Sequence, residues 1–373
     1  MKAETMLQKI FRYKRIWLLL LAPLGLLLTL MARVDSSWVD SVHAKYVYPL
    51  FANSLGWALS LAPFSVLEIL ILLAGAGLLF YLGWSVYKMV RHRTQWKGRL
   101  LRLLLNLFGG ASVLYFGFVL FMGLNYYRTP ITDHLDLQVQ KSSKEELYDL
   151  CELLVYDCNF YREKLQENAQ GVALLQDENF YQTAAAARDA YQTLEEQIPA
   201  LQAADIRNKP LITSKLFSMV LTSGIYVPFE SGINVDAPAH SVPATMCHEL
   251  THFRGFMREE EANFLGYLAC KDADRADFRY SGSLMAFEYA FSALYGEDTA
   301  LAQKIAKLCG EGMLRDLQAQ DAYWAQYRHT VVGDSSQQIY DQYLQANGQE
   351  SGIKSYGEMV DLLLAYYRNH NNI

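Results

Sequence analysis

Residues 247–252 read Cys247-His248-Glu249-Leu250-Thr251-His252, a stretch that contains the motif H-E-x-x-H. On a helix, His248 and His252 stand four residues apart on one face, so both imidazoles can reach one metal ion. Glu249 projects beside them, where it can take a proton from a water that the metal binds. The motif therefore predicts a metal-binding helix that also carries a general base. The alternative is a solvated helix that carries two histidines by chance.

The residues after the motif predict a turn and a second helix with acids in its first turn. Gly255 suits the left-handed residue that ends a helix, and Glu259, Glu260 and Glu261 precede an apolar stretch. A zinc peptidase needs a third protein ligand, and a carboxylate from a neighbouring helix is a common source. Glu260 and Glu261 lead helical faces with large apolar residues, so Glu259 is the predicted ligand. Its own face carries small residues that let two helices lie close together, namely Ala262, Asn263, Gly266 and Cys270.

Two resemblances to known families support this interpretation. H-E-x-x-H followed by Glu-x-x-Ala-Asn is similar to the gluzincin metallopeptidases, and the resemblance implies that Glu259 is the third zinc ligand. The whole chain resembles a bacterial membrane-protein family catalogued as domain of unknown function 3810. That resemblance implies a membrane-anchored architecture and a zinc site, but no substrate. The stretches that match are residues 123–128, 224–229, 247–252 and 261–265, and Ser355-Tyr356.

The first third of the chain holds three apolar runs of membrane-spanning length. The chain has 373 residues, of which 52% are hydrophobic and 19% charged, and it is too apolar for one soluble domain. The runs cover about residues 16–32, 66–87 and 103–124. We therefore predict a membrane domain at residues 1–127 with three transmembrane helices, followed by a second domain at residues 128–373.

A fourth apolar stretch covers residues 46–61. Pro49, Asn53 and Ser54 interrupt it, so it predicts a segment that lies in the membrane interface and not a fourth span.

The distribution of basic residues predicts the orientation in the membrane, because cytoplasmic loops are rich in Lys and Arg. In the loop between the first and second spans, Arg33 and Lys45 are the only Lys or Arg residues. The N-terminus and the loop between the second and third spans are therefore expected in the cytoplasm, and the second domain outside the cytoplasmic membrane. The basic residues on the cytoplasmic side would be Lys2, Lys9, Arg12, Lys14, Arg15, Lys88, Arg91, Arg93, Lys97, Arg99 and Arg102.

The second domain is expected to be mainly α-helical with a small β-hairpin, a zincin-like α+β arrangement. Residues 224–229 and 232–236 have the pattern of two short strands, separated by Glu230-Ser231. In zincins, the strand just before the metal helix is usually the sheet edge that pairs with an extended peptide. The resemblance gives residues 233–236 that role, and a plain core hairpin is the equal alternative.

These features predict a membrane-anchored zinc metallopeptidase. His248, His252 and Glu259 would bind Zn²⁺, and Glu249 would be the general base that later gives its proton to the leaving amine. The substrate would be a peptide or protein at the outer face of the membrane. Four residues are candidates for stabilising the oxyanion. They are Tyr226, Arg328, His329 and Tyr356, with Tyr356 favoured by its Ser-Tyr context.

Other functions are excluded or left as alternatives. The net charge of −6 gives no sign of nucleic-acid binding. An intramembrane protease is excluded, because the charged and proline-containing flanks of the motif cannot cross a bilayer cheaply. A non-catalytic envelope scaffold or sensor with a structural zinc site remains the alternative, and His240 remains an alternative ligand. Cys247 and Cys270 are expected to be small buried residues that face one another.

Overall fold

The structure is a computed structural model of the chain, and it describes residues 14–177, 179–347, 349 and 358–370. The protein is mainly helical, at 74% of residues, with one small sheet in its C-terminal part. It divides into two compact units. The first contains the chain up to Tyr48 together with Val66–Arg128, and the second contains Pro49–Ser65 together with the chain from Thr129 onward. Pro49–Ser65 thus groups with the chain from Thr129 onward.

Among the described residues, three helical stretches are long and apolar enough to cross a membrane. They are Ile16–Val34, Val66–Arg91 and Arg93–Tyr127, and they confirm the three spans predicted from the sequence. The protein is therefore a membrane protein. The helices in this part of the chain are α1 (Leu21–Val34), α2 (Tyr48–Ser60), α3 (Val66–Arg91) and α4 (Trp96–Phe121), with short helical segments at Lys14–Leu20, Val39–Val47, Arg93–Gln95 and Gly123–Tyr127.

In the first unit, α4 packs against both α1 and α3. A Cβ atom at Gly25 of α1 would lie 3.1 Å from the ring of Tyr115 on α4, so the absence of a side chain lets the two helices approach closely. Near the C-terminal ends of α1 and α4, four hydrophobic residues form a small buried cluster. They are Ala32, Val39, Val119 and Leu124.

The apolar part of this helical region, α2, is too short to be a fourth span, and the helical segment directly before it, Val39–Val47, contains Asp40, His43 and Lys45. The 13 residues of α2 extend about 20 Å at 1.5 Å per residue, whereas the hydrocarbon core of a bilayer is about 30 Å thick. The apolar stretch at residues 46–61 therefore does not cross the membrane as a helix.

The second unit is a helical domain around a three-stranded sheet. Its elements are α5 (Ile131–His134), α6 (Lys144–Arg162), α7 (Phe180–Gln197), β1 (Lys209–Pro210), α8 (Ser214–Met219), β2 (Gly224–Val227), β3 (Glu230–Ile233), α9 (Val242–Phe253), α10 (Glu259–Asp272), α11 (Ala276–Glu297), α12 (Thr299–Ala306), α13 (Glu311–Ala325), α14 (Val331–Ala346) and α15 (Glu358–Asn369).

Two of these helices begin at a capping residue. The Ser143 side chain accepts from the backbone N–H of Glu146, and the Glu146 carboxylate accepts from the backbone N–H of Ser143, which together form a capping box at α6. Asn179 caps α7 by accepting from the N–H of Tyr181.

The sheet corrects two predictions about the hairpin. Its strand order is β1-β3-β2, with β3 parallel to β1 and antiparallel to β2. The turn lies at Pro228-Phe229, two residues earlier than predicted, because Val227 already pairs with Glu230. Phe229 has a left-handed φ of 74°, and its N–H donates to the hydroxyl of Tyr226. The assignment of residues 233–236 as the sheet edge is wrong, since β3 is paired on both sides and ends at Ile233.

The core of the second unit is built around α10. Every residue from Glu259 to Cys270 is buried, because this helix packs against α7, α9, α11 and α15 at once. Helix α9, which carries the H-E-x-x-H motif, packs in turn against α7, β2 and β3. The two helices with the predicted metal ligands therefore lie side by side in the interior.

Candidate metal centre

The two ligand helices are joined by a short turn that reverses the chain. Gly255 follows α9 with a left-handed φ of 83°, and its N–H donates to the carbonyl of His252. A residue with a side chain rarely adopts this conformation, so the glycine is needed here. The turn ends at Glu259, the first residue of α10.

A glycine on α10 sets the distance between the two helices. A Cβ atom at Gly266 would lie 3.1 Å from the backbone nitrogen of His248 and 3.3 Å from its Cα. The helices therefore touch through their backbones, as the face of small residues predicts. Cys270, further along the same face, is buried and unbridged and lies against Cys247, and burial raises the pKa of its thiol.

The predicted ligands come together at this contact. The Nε2 atoms of His248 and His252 are 3.0 Å apart, and the Glu259 carboxylate oxygens lie 3.4 Å and 3.7 Å from them, respectively. One ligand atom from each residue lies within 4.8 Å of the other two, a spacing that one ion can bridge.

The outer nitrogens of the two imidazoles are both occupied by hydrogen bonds. Nδ1 of His252 lies 2.9 Å from the carbonyl oxygen of Phe256, which can only accept, so Nδ1 donates. Nδ1 of His248 likewise donates to Oδ1 of Asn263 at 2.9 Å. In the neutral rings, both Nε2 lone pairs then point toward one another beside a carboxylate. Three converging electron-pair donors require a cation between them, either a proton or a metal ion.

The pKa shifts agree with this need for positive charge. Burial lowers the pKa of His248, but the hydrogen bond and the charge of Glu259 outweigh it and raise that pKa to about 9. Burial raises the pKa of Glu259, but the hydrogen bond with His248 and the charges of both histidines lower it to about 2. Burial and the charge of His248 lower the pKa of His252 to about 4. A proton on His248 thus stands where a metal ion would be bound.

The two neighbouring glutamates have other partners. Glu260 accepts from the side-chain amide of Gln349 at 2.5 Å. Glu261 accepts from the backbone N–H of Ile131 at 2.8 Å and forms an ion pair with Arg258 at 3.0 Å. Of the three adjacent glutamates, Glu259 is the one that faces both histidines.

Glu249 lies beside the ligands and under strand β2. It is 5% exposed, and burial, partly opposed by the charge of His248, raises its pKa to about 8. A Cβ atom at Gly224 would lie 2.5 Å from Oε1 of Glu249 and 2.7 Å from Cγ2 of Thr245. Strand β2 can therefore pass this close to the carboxylate only with glycine at position 224.

The four candidates for an oxyanion stabiliser lie in different places. Tyr226 is buried on β2, with its ring centroid 6.2 Å from that of His252. Arg328 forms an ion pair with Asp321 at 2.8 Å, and its side chain is 43% exposed. His329 is exposed, with a left-handed φ of 59°. Tyr356 lies outside the described residues.

Three residues around the ligands were not predicted as site residues. Asn263 appeared only as a small residue on the contact face, yet it orients His248. The hydroxyl of Tyr289 on α11 is hydrogen-bonded to the Asn263 side chain, and Tyr340 on α14 is hydrogen-bonded to Glu259. No local pattern distinguishes these two tyrosines, because the helices after Cys270 are rich in tyrosine. His240, the alternative ligand, is bonded instead to Gln320 at 3.0 Å.

No curated protein and no solved structure matches the chain. A family model described as "Protein of unknown function (DUF3810)" matches residues 43–364. The matched region begins before α2 and includes the sheet, both ligand helices and most of α15. Since the match extends over most of the 373 residues, the chain belongs to the DUF3810 family.

Proposed function

We propose that the protein is a membrane-anchored, zinc-dependent metallopeptidase that hydrolyses peptide bonds of envelope or extracytoplasmic proteins. The observation that carries the proposal is the convergence of two imidazole nitrogens and a carboxylate beside a buried glutamate. This is the donor set and the general base that metal-assisted peptide hydrolysis requires.

The residues fit a catalytic zinc ion better than a structural one. Zinc is commonly bound in tetrahedral geometry by the nitrogen and oxygen atoms of His, Asp and Glu. Structural zinc sites, by contrast, usually have four protein ligands, several of them cysteines. Within the part of the chain that the structure describes, the group of ligands has three members, His248, His252 and Glu259. A zinc ion bound by them would retain an open position for a water and act there as a Lewis acid.

The protein's own groups would then perform the proton transfers and hold the substrate. Glu249 would accept the proton of the attacking water and give it to the leaving amine, and its position beside His248 suits both steps. Strand β2, at an edge of the sheet, would pair with an extended substrate through its backbone. Tyr226 is on the same strand, with its ring centroid 6.2 Å from that of His252, and would be the residue among the four candidates that stabilises the oxyanion.

The decisive experiment separates metal binding from catalysis. The full chain, purified in detergent with zinc, is incubated with a peptide library beside the variant Glu249→Gln. The amide keeps the shape but accepts no proton, so we expect unchanged zinc content and a loss of hydrolysis by about two to four orders of magnitude.

The matched control is Glu260→Gln, which changes another buried glutamate on a ligand helix whose partner is Gln349. This control should keep both zinc and activity. If the unsubstituted chain binds zinc stoichiometrically but cleaves no peptide, the non-catalytic scaffold or sensor is the correct function.

A further inference from the structure

Helix α2 has one face packed on α9, the helix that carries the H-E-x-x-H motif, and one face exposed. On the packed face, a Cβ atom at Gly56 would lie 2.8 Å from the ring of Phe253 and 3.3 Å from Cγ2 of Ile206. Phe253 is the last residue of α9 and directly follows His252. Helix α2 therefore contacts the C-terminal end of the helix that carries two of the three ligands.

The exposed side of α2 and of the loop that follows it is apolar. Residues 46–67 contain no Asp, Glu, Lys, Arg or His. A soluble surface or a typical protein–protein interface has a polar rim, whereas this one presents large apolar side chains without any charge. The exposed residues are Leu50 (66%), Leu55 (44%), Trp57 (61%), Leu61 (69%) and Phe64 (46%).

Buried polar contacts fix this segment to the sheet of the second unit. Lys209 donates to the carbonyl of Leu59 at 2.6 Å and forms an ion pair with Glu230 at 2.7 Å. Ser65 donates to the other carboxylate oxygen of Glu230. Since Lys209 and Glu230 are both nearly inaccessible, breaking this network would leave a buried charge without its partner, which is strongly unfavourable.

Two weaker contacts secure the same segment along its length. Asn53 accepts from the N–H of Ala204 at 3.0 Å, and the carbonyl of Pro63 accepts from the hydroxyl of Tyr181 at 3.0 Å. The segment is thus an ordered part of the second unit and not a loose linker.

Chain continuity indicates what covers the exposed face. Ser65 is fixed in the second unit, and the next residue, Val66, begins a helix that is apolar enough to cross a membrane. The chain is also fixed in the second unit just after the third membrane helix, because the Glu261 carboxylate on α10 accepts a hydrogen bond from the backbone N–H of Ile131. Leu61 and Phe64 precede the start of the helix at Val66 by only a few residues in the chain, and we therefore infer that they lie close to the bilayer surface. Tryptophan on an uncharged apolar face is typical of the membrane interface.

We propose that the exposed apolar surface of α2 and of the residue after it, formed by Leu50, Leu55, Trp57 and Leu61, lies in the interfacial layer of the lipid bilayer. The opposite face of the same helix packs on Phe253. The group formed by His248, His252 and Glu259 would then be separated from the lipid by α2 and part of α9, on the order of one to two helix diameters, or about 10–20 Å. If the protein is a peptidase, the peptide bonds within its reach are those close to a membrane surface.

The experiment measures lipid contact without using enzymatic activity. Leu50, Trp57 and Leu61 are replaced one at a time by cysteine in the full chain, spin-labelled and reconstituted in phospholipid nanodiscs. Relaxation by oxygen, which partitions into lipid, is compared with relaxation by a water-soluble nickel chelate. The control is Glu311→Cys, because the side chain of Glu311 is 96% exposed at the start of α13. The unsubstituted chain, labelled in parallel, corrects for the half-buried Cys309.

We expect the ratio of oxygen to nickel accessibility to be at least fivefold higher at positions 50, 57 and 61 than at position 311. Equal ratios at all four positions would mean that α2 faces water and would overturn the proposal. Low accessibility to both reagents at the α2 positions would mean that protein, such as a second copy of the chain, covers the face, and would overturn it equally.

Discussion

At the residue scale, the site depends on which of three adjacent glutamates faces the histidines. All three are buried in the first turn of α10, so burial does not distinguish them. Their partners do, because Glu259 lies against His248 and His252 whereas Glu260 and Glu261 bond to Gln349 and Ile131. A helix rotates 100° per residue, and neighbours in sequence therefore point to different elements.

The first prediction follows from this difference. Glu259→Ala should bind zinc much more weakly, because a site of two histidines lacks the third ligand. Glu260→Ala and Glu261→Ala should keep stoichiometric zinc, and Glu261→Ala should have a lower melting temperature because it loses the contacts to Ile131 and Arg258. Elemental analysis of the three purified variants measures the zinc. Loss of metal from Glu261→Ala together with its retention in Glu259→Ala would contradict the assignment.

The second prediction concerns pH. In the metal-free protein the pKa of His248 is raised to about 9, so this residue carries a proton at pH 7. Zinc must displace that proton, and its apparent affinity should therefore increase about tenfold per unit as the pH rises from 7 toward 9. Calorimetric titration in two buffers with different ionisation enthalpies should show release of about one proton per zinc at pH 7. An affinity that does not change over this range would show that His248 is neutral before zinc binds.

At the scale of elements, the contact between α9 and α10 decides whether the ligands can meet. Gly266 lies against backbone atoms of His248, which cannot move aside as a flexible side chain can. The ligand geometry is therefore linked to the absence of a side chain at position 266, two helical turns after Glu259 on α10. A methyl group at position 266 would push the two helices apart.

The third prediction is that Gly266→Ala lowers the stability by about 1–3 kcal/mol and weakens zinc binding at the same time. The control is Gly296→Ala near the end of α11, where a Cβ atom would meet nothing within 4 Å. That variant should be equally or slightly more stable, because alanine favours a helix over glycine. Thermal unfolding with and without zinc measures both effects. A Gly266→Ala variant with normal stability and zinc affinity would mean that the helices are not in backbone contact.

At the scale of the whole molecule, the number of membrane crossings would decide on which side of the membrane His248, His252 and Glu259 lie. The three apolar helices predict an odd number of crossings, which would put the segments before the first and after the third on opposite sides of the membrane. The basic residues before the first span and between the second and third favour the cytoplasm for those segments.

The fourth prediction tests this orientation. A reporter that is active only in the cytoplasm should be silent when fused after residue 373 and active when fused at Lys97. Fusion at Lys97 is the internal control, because it shows that the reporter folds in this protein. Activity of the C-terminal fusion would reverse the orientation, and the proposed peptidase would then act inside the cell.

The sequence by itself determined the features that depend on neighbours in the chain. The three spans could be predicted because a long apolar run has no stable place in water, whatever it packs against. The grouping of His248, His252 and Glu259, which could hold a metal ion, followed from helical spacing in α9 and α10. In each case the signal lies within one continuous stretch of the chain.

Only the tertiary structure decided the features that join distant parts of the chain. Strand β3 became the central strand because β1 pairs with its outer side, and nothing in residues 224–236 indicates that partner. The bond from Tyr340 to Glu259 and the packing of α2 on Phe253 likewise join residues far apart in sequence. Such contacts arise when the fold brings distant residues together to fill space and to pair buried polar groups. A local sequence pattern therefore does not predict them.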